Sequence, residues 1–289
     1  MGRRAGLALG SLLLVAAGGC RTAAVVTPPA TVRPPSYAGL DAALWVQTAE
    51  EARLLRVTAY AAATAALEHG LADPIWSALD QGPGAAALPA AAILDLDETV
   101  LDNSAYEAYL VRAGRSFEPA SWSAWVATAE AKAIPGVLDF ARRAAELGVT
   151  LYFVSNRDAP MEQATRANLA ALGLPLPAGG DVVLLRGERP EWRSDKRGRY
   201  EEIAARHRVL VLVGDDLNDF LSGAREATLA ERRALAEPHA GRFGRDWFLL
   251  PNPMHGSWLR AASAGAGGGG EIERRLERLE AFDGPAPPP

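Results

Sequence analysis

Three short stretches of this chain, 90–94, 149–154 and 209–213, are apolar on both alternating sets of positions, with only Thr150 breaking the pattern. Successive strand residues point to opposite faces, so a strand can be apolar throughout only where both faces are covered. Two weaker runs, 182–185 and 247–250, have the same character. Helical patterns separate the runs, at 135–147, 161–172 and 200–207. Buried strands alternating with helices predict an α/β fold, a three-layer Rossmann-like parallel sheet of about five strands. The runs end in small polar or acidic residues, and the carboxyl ends of parallel strands are where such a fold builds its site.

The chain reads as five regions, the core among them. Residues 1–20 carry Arg3 and Arg4, an apolar run, then Gly18, Gly19 and Cys20. This is the layout of a secretory signal, and the apolar run is too short to span a bilayer. Cys20 is the only cysteine and stands where a bacterial lipoprotein signal places its lipidated residue, with Ala17 at the position where Leu is usual. A plain cleaved signal or an uncleaved anchor fits the same layout. Residues 21–36, with Pro28, Pro29, Pro34 and Pro35, read as a flexible tether. Residues 37–89 read as a small helical segment that Gly70 and Pro74 break into a long helix and a short one. Residues 90–260 form the core, with a short cap insertion at 102–134. Residues 261–289 read as an Ala/Gly linker, a short amphipathic helix on Ile272, Leu276, Leu279 and Phe282, and a disordered tail.

The first strand run ends Asp95-Leu96-Asp97-Glu98-Thr99. Two aspartates two residues apart leave a strand end on the same side. The third run ends Gly214-Asp215-Asp216-Leu217-Asn218-Asp219. Two acidic clusters meeting at one edge of a parallel sheet repel, and a divalent cation relieves them. Hard oxygen ligands favour Mg²⁺. Between them the second run ends Ser155-Asn156-Arg157-Asp158, where a hydroxyl, an amide and backbone N–H groups can hold phosphate oxygens. Lys196 is one of only two lysines among 30 basic residues and offers a cation for a transferred anion. The net charge of −5 argues against a nucleic-acid polymer as partner, because phosphate-backbone binding needs a basic face. One cysteine and four scattered histidines exclude an internal disulfide and leave no spacing for a zinc site.

Asp95-Leu96-Asp97-Glu98-Thr99, Ser155, Lys196 and Gly214-Asp215-Asp216-Leu217-Asn218-Asp219 resemble, in order, the four motifs of the haloacid dehalogenase-like (HAD) hydrolase superfamily. The longer stretches 93–106 and 213–220 resemble the signatures of class C acid phosphatases. That family includes bacterial outer-membrane lipoprotein phosphatases acting as 5′-nucleotidases. The resemblance implies a HAD-like core and an acid phosphatase. Asp95 would be the nucleophile forming an aspartyl-phosphate, and Asp97 the general acid and base. Mg²⁺ would be held by the Asp95 and Asp215 carboxylates and the Asp97 carbonyl. Asp219 would order a metal water or Lys196, and Ser155, Asn156 and Lys196 would face the phosphate. Asp216 departs from the family, which usually has Asn or Thr there.

The resemblance further implies a substrate clamp of aromatic residues. Candidates in the cap are Phe117 and Trp122, and His255 stands where the family carries a second aromatic. Nucleoside monophosphates, nicotinamide mononucleotide and aryl phosphates are the implied small phosphomonoester substrates. The implied place is the bacterial cell envelope, with the N-terminal lipid in the outer membrane; a periplasmic or secreted protein is the alternative. The family also allows a homodimer. A non-catalytic surface binding lipoprotein on the same scaffold, and a phosphotransferase, are the competing readings.

Overall fold

The structure, a computed structural model, describes Gly2, residues 39–264 and residues 270–280. Cys20, the 21–36 tether and the 281–289 tail lie outside the described residues. In chain order the strands are β1 (Ala90–Leu94), β2 (Leu101–Asp102), β3 (Lys132–Ala133), β4 (Thr150–Asp158), β5 (Val183–Arg186), β6 (Arg208–Gly214) and β7 (Trp247–Leu249). The helices are α1 (Leu40–Thr48), α2 (Glu50–Ala72), α3 (Ser104–Ala113), α4 (Pro119–Thr128), α5 (Val137–Glu146), α6 (Glu162–Ala171), α7 (Arg197–Ala204), α8 (Leu229–Ala236), α9 (Ser257–Ser263) and α10 (Glu271–Leu276).

Five strands make one parallel sheet in the order β5-β4-β1-β6-β7. All seven residues of β6 and the last four of β1 are buried. Their side chains alternate between faces, so helices must cover both, as the unbroken apolar runs require. The register then decides where chemistry can occur. Leu94 lies level with Phe153 of β4 and with Val213 of β6. Asp95, Ser155 and Asp215 each follow within two residues of that common line, so three separated segments deliver polar side chains to one sheet edge.

The segment before β1 differs from its expected form. α2 runs unbroken through Gly70 to Ala72, and the chain breaks instead at Ala49, whose backbone is extended between α1 and α2. Gly70 serves packing: a Cβ there would lie 2.6 Å from Cδ1 of Trp76. In place of the short helix expected around Pro74, the chain turns. Trp76 Nε1 then donates to the Leu210 carbonyl and Ala78 N–H to the Val209 carbonyl, both at 2.8 Å. The buried face of α2, with Ala52, Arg56, Tyr60, Ala63, Leu67 and Gly70, packs on α5, β6 and β7. At the other end, where the composition predicts a linker from residue 261, α9 continues to Ser263.

The insertion after β1 is small. β2 and β3 pair antiparallel, Leu101 with Ala133 and Asp102 with Lys132, and close its base. α3 then rests on α1, and α4 on α6. Among the described residues, no helix is long and apolar enough to cross a membrane.

A Gly70→Ala substitution should push the indole of Trp76 off the sheet. The expected loss is about 1–3 kcal/mol of folding stability, read from urea unfolding; an unchanged midpoint would show that the close approach is not required.

Candidate active site

Asp95 leaves the end of β1 with its backbone N–H fixed on the Val213 carbonyl of β6, at 2.9 Å. Asp215 and Asp219 follow β6 in a loop that depends on Gly214, where a Cβ would come within 2.5 Å of the Asp219 side chain. That close approach lets Asp219 Oδ2 accept the backbone N–H groups of Asp215 and Asp216, at 3.1 and 3.0 Å. The loop is thereby tied back on itself. Asp95, Asp215 and Asp219 each offer an oxygen within 4.8 Å of the others.

Charge decides what this cluster needs. At about 4 Å and an effective dielectric of ~20, each like-charge pair costs roughly 4 kcal/mol. Lys196, buried at the start of α7, pairs with Asp95 and, at 2.8 Å, with Asp219. Burial pulls the Lys196 pKa down, but Asp219 and Asp95 outweigh it and keep the ammonium charged, with the pKa above its ordinary value. One lysine compensates two of the acids. Asp215 is left with neutral donors, Thr99 Oγ1 at 3.2 Å and Asn252 Nδ2 at 2.8 Å. Its pKa accordingly rises far above the carboxylate range, through burial first and then the charges of Asp95 and Asp219. Burial also raises Asp95 and Asp219, each partly offset by Lys196. A buried set of hard oxygen donors with excess negative charge fits a divalent cation of the Mg²⁺ kind.

Asp97 lies at the side of this cluster. Its Oδ1 accepts from Arg157 Nη2 at 2.7 Å, Arg157 Nε at 3.0 Å and Asn103 Nδ2 at 2.9 Å. Ser155 Oγ donates to Asp97 Oδ2 at 3.4 Å and accepts the Arg157 N–H at 3.0 Å. Asn156, a candidate for the phosphate, is engaged elsewhere. Its Nδ2 donates to the Ser194 carbonyl at 3.0 Å and its Oδ1 accepts from Arg199 Nη2 at 2.8 Å. Buried Arg199 also reaches the Ser155 and Arg193 carbonyls, so Asn156 and Arg199 fasten the loop that carries Lys196.

The clamp candidates separate. Trp122 meets Tyr106 edge-on at 5.2 Å and Phe117 at 6.3 Å between ring centroids. Phe117 is 59% exposed, so this cluster offers an open aromatic face. His255 has no ring contact with it among the described residues. Its Nε2 lies 2.8 Å from Oε2 of Glu98 and 3.9 Å from Glu107. Burial lowers the His255 pKa, but the Glu98 carboxylate outweighs it and holds the ring protonated, with the pKa raised. Glu98 itself is fully buried with φ of 61°, a strained turn held by the Asn103 N–H and His255.

Sequence reasoning did not single out Arg157, Asn103, Glu98, Arg199 or Asn252. Arg157 had a signal: it stands two residues beyond Ser155 on an extended strand and so shares its face. Asn252 follows the last strand of the sheet, where the strand-end rule applies again.

Central strands that bring acids and a serine hydroxyl to one sheet edge, met there by the lysine that precedes α7, have the layout of a HAD-like α/β fold. The model of the HAD superfamily, subfamily IIIB (acid phosphatase), matches residues 42–258, and the chain belongs to this family. The structure of the class C acid phosphatase from Bacillus anthracis is similar, with 32% identity and a TM-score of 0.74, covering 86% of this chain and 100% of that one. A structure of class C acid phosphatase from Bacillus anthracis with tungstate bound gives 31% identity and the same TM-score, covering 86% and 99%. The chain is an acid phosphatase of this class.

Because Asp95, Asp215 and Asp219 have raised folded-state pKa values, the stability they contribute is present when they are protonated and is lost as pH rises through those values. The EDTA-treated protein should therefore lose thermal stability from pH 5 to pH 8. Added Mg²⁺ should raise Tm more at pH 8 than at pH 5. Equal Mg²⁺ shifts at both values would contradict a carboxylate-based cation site.

Proposed function

We propose that this acid phosphatase is a Mg²⁺-dependent phosphomonoesterase that works through an aspartyl-phosphate on Asp95. The observation that carries the reading is the meeting of Asp95, Asp215 and Asp219 at the end of the central strands, with Lys196 paired to Asp95 and Asp219. Asp95, Asp215 and the Asp97 carbonyl would hold the metal, which when bound neutralises phosphate charge and aligns the phosphorus with Asp95.

Each residue has its own part in the two steps. A carboxylate oxygen of Asp95 attacks phosphorus as the ester P–O bond breaks, and Asp97 gives its proton to the departing oxygen. In the second step a water oxygen attacks the same phosphorus, Asp97 takes the water proton, and the Asp95–phosphorus bond breaks to release phosphate. Lys196 stays charged throughout, holding Asp95 and stabilising phosphoryl oxygens with Ser155 Oγ. Asp219 fixes Lys196 and the loop of Asp215.

For substrates we propose nucleoside monophosphates, nicotinamide mononucleotide and aryl phosphates. The support is the aromatic face of exposed Phe117 and half-buried Trp122, backed by buried Tyr106, which suits a flat leaving group. His255, salt-bridged to Glu98, would add a flat cationic edge to the site mouth. The N-terminal pattern ending in Cys20 supports anchoring by lipid in the bacterial outer membrane. In that place the substrates are small phosphate esters outside the cytoplasm.

Asp95→Asn should lower kcat by roughly 10⁴-fold or more while the fold persists, because it removes the attacking group and relieves crowding. Steady-state hydrolysis of p-nitrophenyl phosphate and thermal unfolding check both parts. Retained turnover would remove Asp95 as nucleophile; transfer of phosphate to added alcohols in place of release would favour a phosphotransferase. A Trp122→Ala variant should raise KM for adenosine monophosphate more than for glycerol phosphate; equal changes would remove Trp122 from the clamp.

A further inference from the structure

We propose that Arg157 is the positioning residue for Asp97, holding it so that one carboxylate oxygen alone exchanges protons with the reacting groups. The proposal rests on Asp97 acting as acid and base. The geometry is asymmetric. Oδ1 of Asp97 receives three donors within 3.0 Å, two of them from the Arg157 guanidinium. Oδ2 has only long contacts among the described residues, Arg157 Nε at 3.3 Å and Ser155 Oγ at 3.4 Å. Both contacts are long, so Oδ2 is the less tightly held oxygen and the one free to exchange a proton with a phosphate ester lying beside Ser155. In the first step the Oδ2–H bond breaks as the proton joins the ester oxygen. In the second step Oδ2 gains the proton that leaves the attacking water. Oδ1 remains on Arg157 in both.

Arg157 is built for a fixed position. Its side chain is 1% exposed, its Nη1 donates to Thr165 Oγ1 of α6 at 3.1 Å, and the Trp122 ring lies 5.6 Å from its Cζ. A planar fork held on three sides orients a carboxylate in a way a single ammonium cannot. The Trp122 contact also joins the aromatic face for the leaving group to the group that protonates the leaving oxygen. A role in charge balance alone would need only a cation near Asp97; the short two-point hold on Oδ1, with Oδ2 held only by long contacts, is the added feature.

The test is a series of phosphate esters whose leaving groups range from p-nitrophenol to simple alcohols, assayed with saturating Mg²⁺. Proton donation matters for poor leaving groups and little for p-nitrophenol. For Arg157→Gln, kcat/KM should fall about 10²-fold with alkyl esters and less than about fivefold with p-nitrophenyl phosphate. Arg157→Lys keeps the charge without the fork and should show the same pattern. Thr165→Val leaves Arg157 in place and should show a smaller loss in the same direction, so misfolding of the first variant does not decide the matter. Equal losses across the series, or full rescue by Arg157→Lys, would overturn the proposal. Asp97→Asn is the control: if it too lacks the leaving-group dependence, the acid/base reading of Asp97 falls, and the proposal with it.

Discussion

The structure depends on negative charge brought together out of water. Parallel strands β1 and β6 end on the same level, so Asp95 and the Asp215–Asp219 loop cannot avoid one another. Lys196 answers Asp95 and Asp219, while the hydrogen bonds of Asp215 among the described residues come from neutral donors. A fold that gathers this imbalance holds a carboxylate cluster that could take a metal ion, and several neighbouring residues hold the cluster in place. Gly214 makes room for Asp219, Asn252 and Thr99 fix Asp215, and the hydroxyl groups of Tyr60 and Tyr200 secure the carbonyls of Thr99 and Asp219.

Around this centre two other charged pairs do different work. Asp97 is paired with Arg157 and partly open to solvent, which suits a group that exchanges protons. Glu98 is fully buried and paired with His255, which joins the strained turn after Asp97 to the loop after β7. The adjacent acids Asp97 and Glu98 thus face different partners: one pairs with Arg157 beside Ser155, the other ties its own turn to the loop after β7. The positive φ at Glu98 makes this divergence possible, at a cost of roughly 1–3 kcal/mol that its hydrogen bonds offset.

The strands were legible because each is apolar without alternation, a pattern that suits a short strand covered on both faces and little else. Both acidic clusters were legible because each abuts such a strand, and the four-motif resemblance tied them to Ser155 and Lys196. The Arg157–Asp97 pair was not, since an arginine in a polar loop reads as a solvated side chain until the fold brings in a carboxylate 60 positions away. The Glu98–His255 pair, 157 positions apart, hides for the same reason. Gly70 misled in the usual way of helical glycines: propensity favours a break, while contact with Trp76 and burial on the sheet keep the helix intact. Asn156 shows the limit of motif reading, since its neighbour Ser155 lies beside Asp97 while its own amide turns toward Arg199 and the Lys196 loop.

The most direct measurement is calorimetric titration of Mg²⁺ into the metal-free protein and into its Asp215→Asn variant. Converging carboxylates predict one ion bound per chain in the parent, with proton release near neutral pH, and binding lost or weakened by about 10²-fold or more in the variant. Equal affinity in both proteins, or no binding in the parent, would contradict a site built in this way.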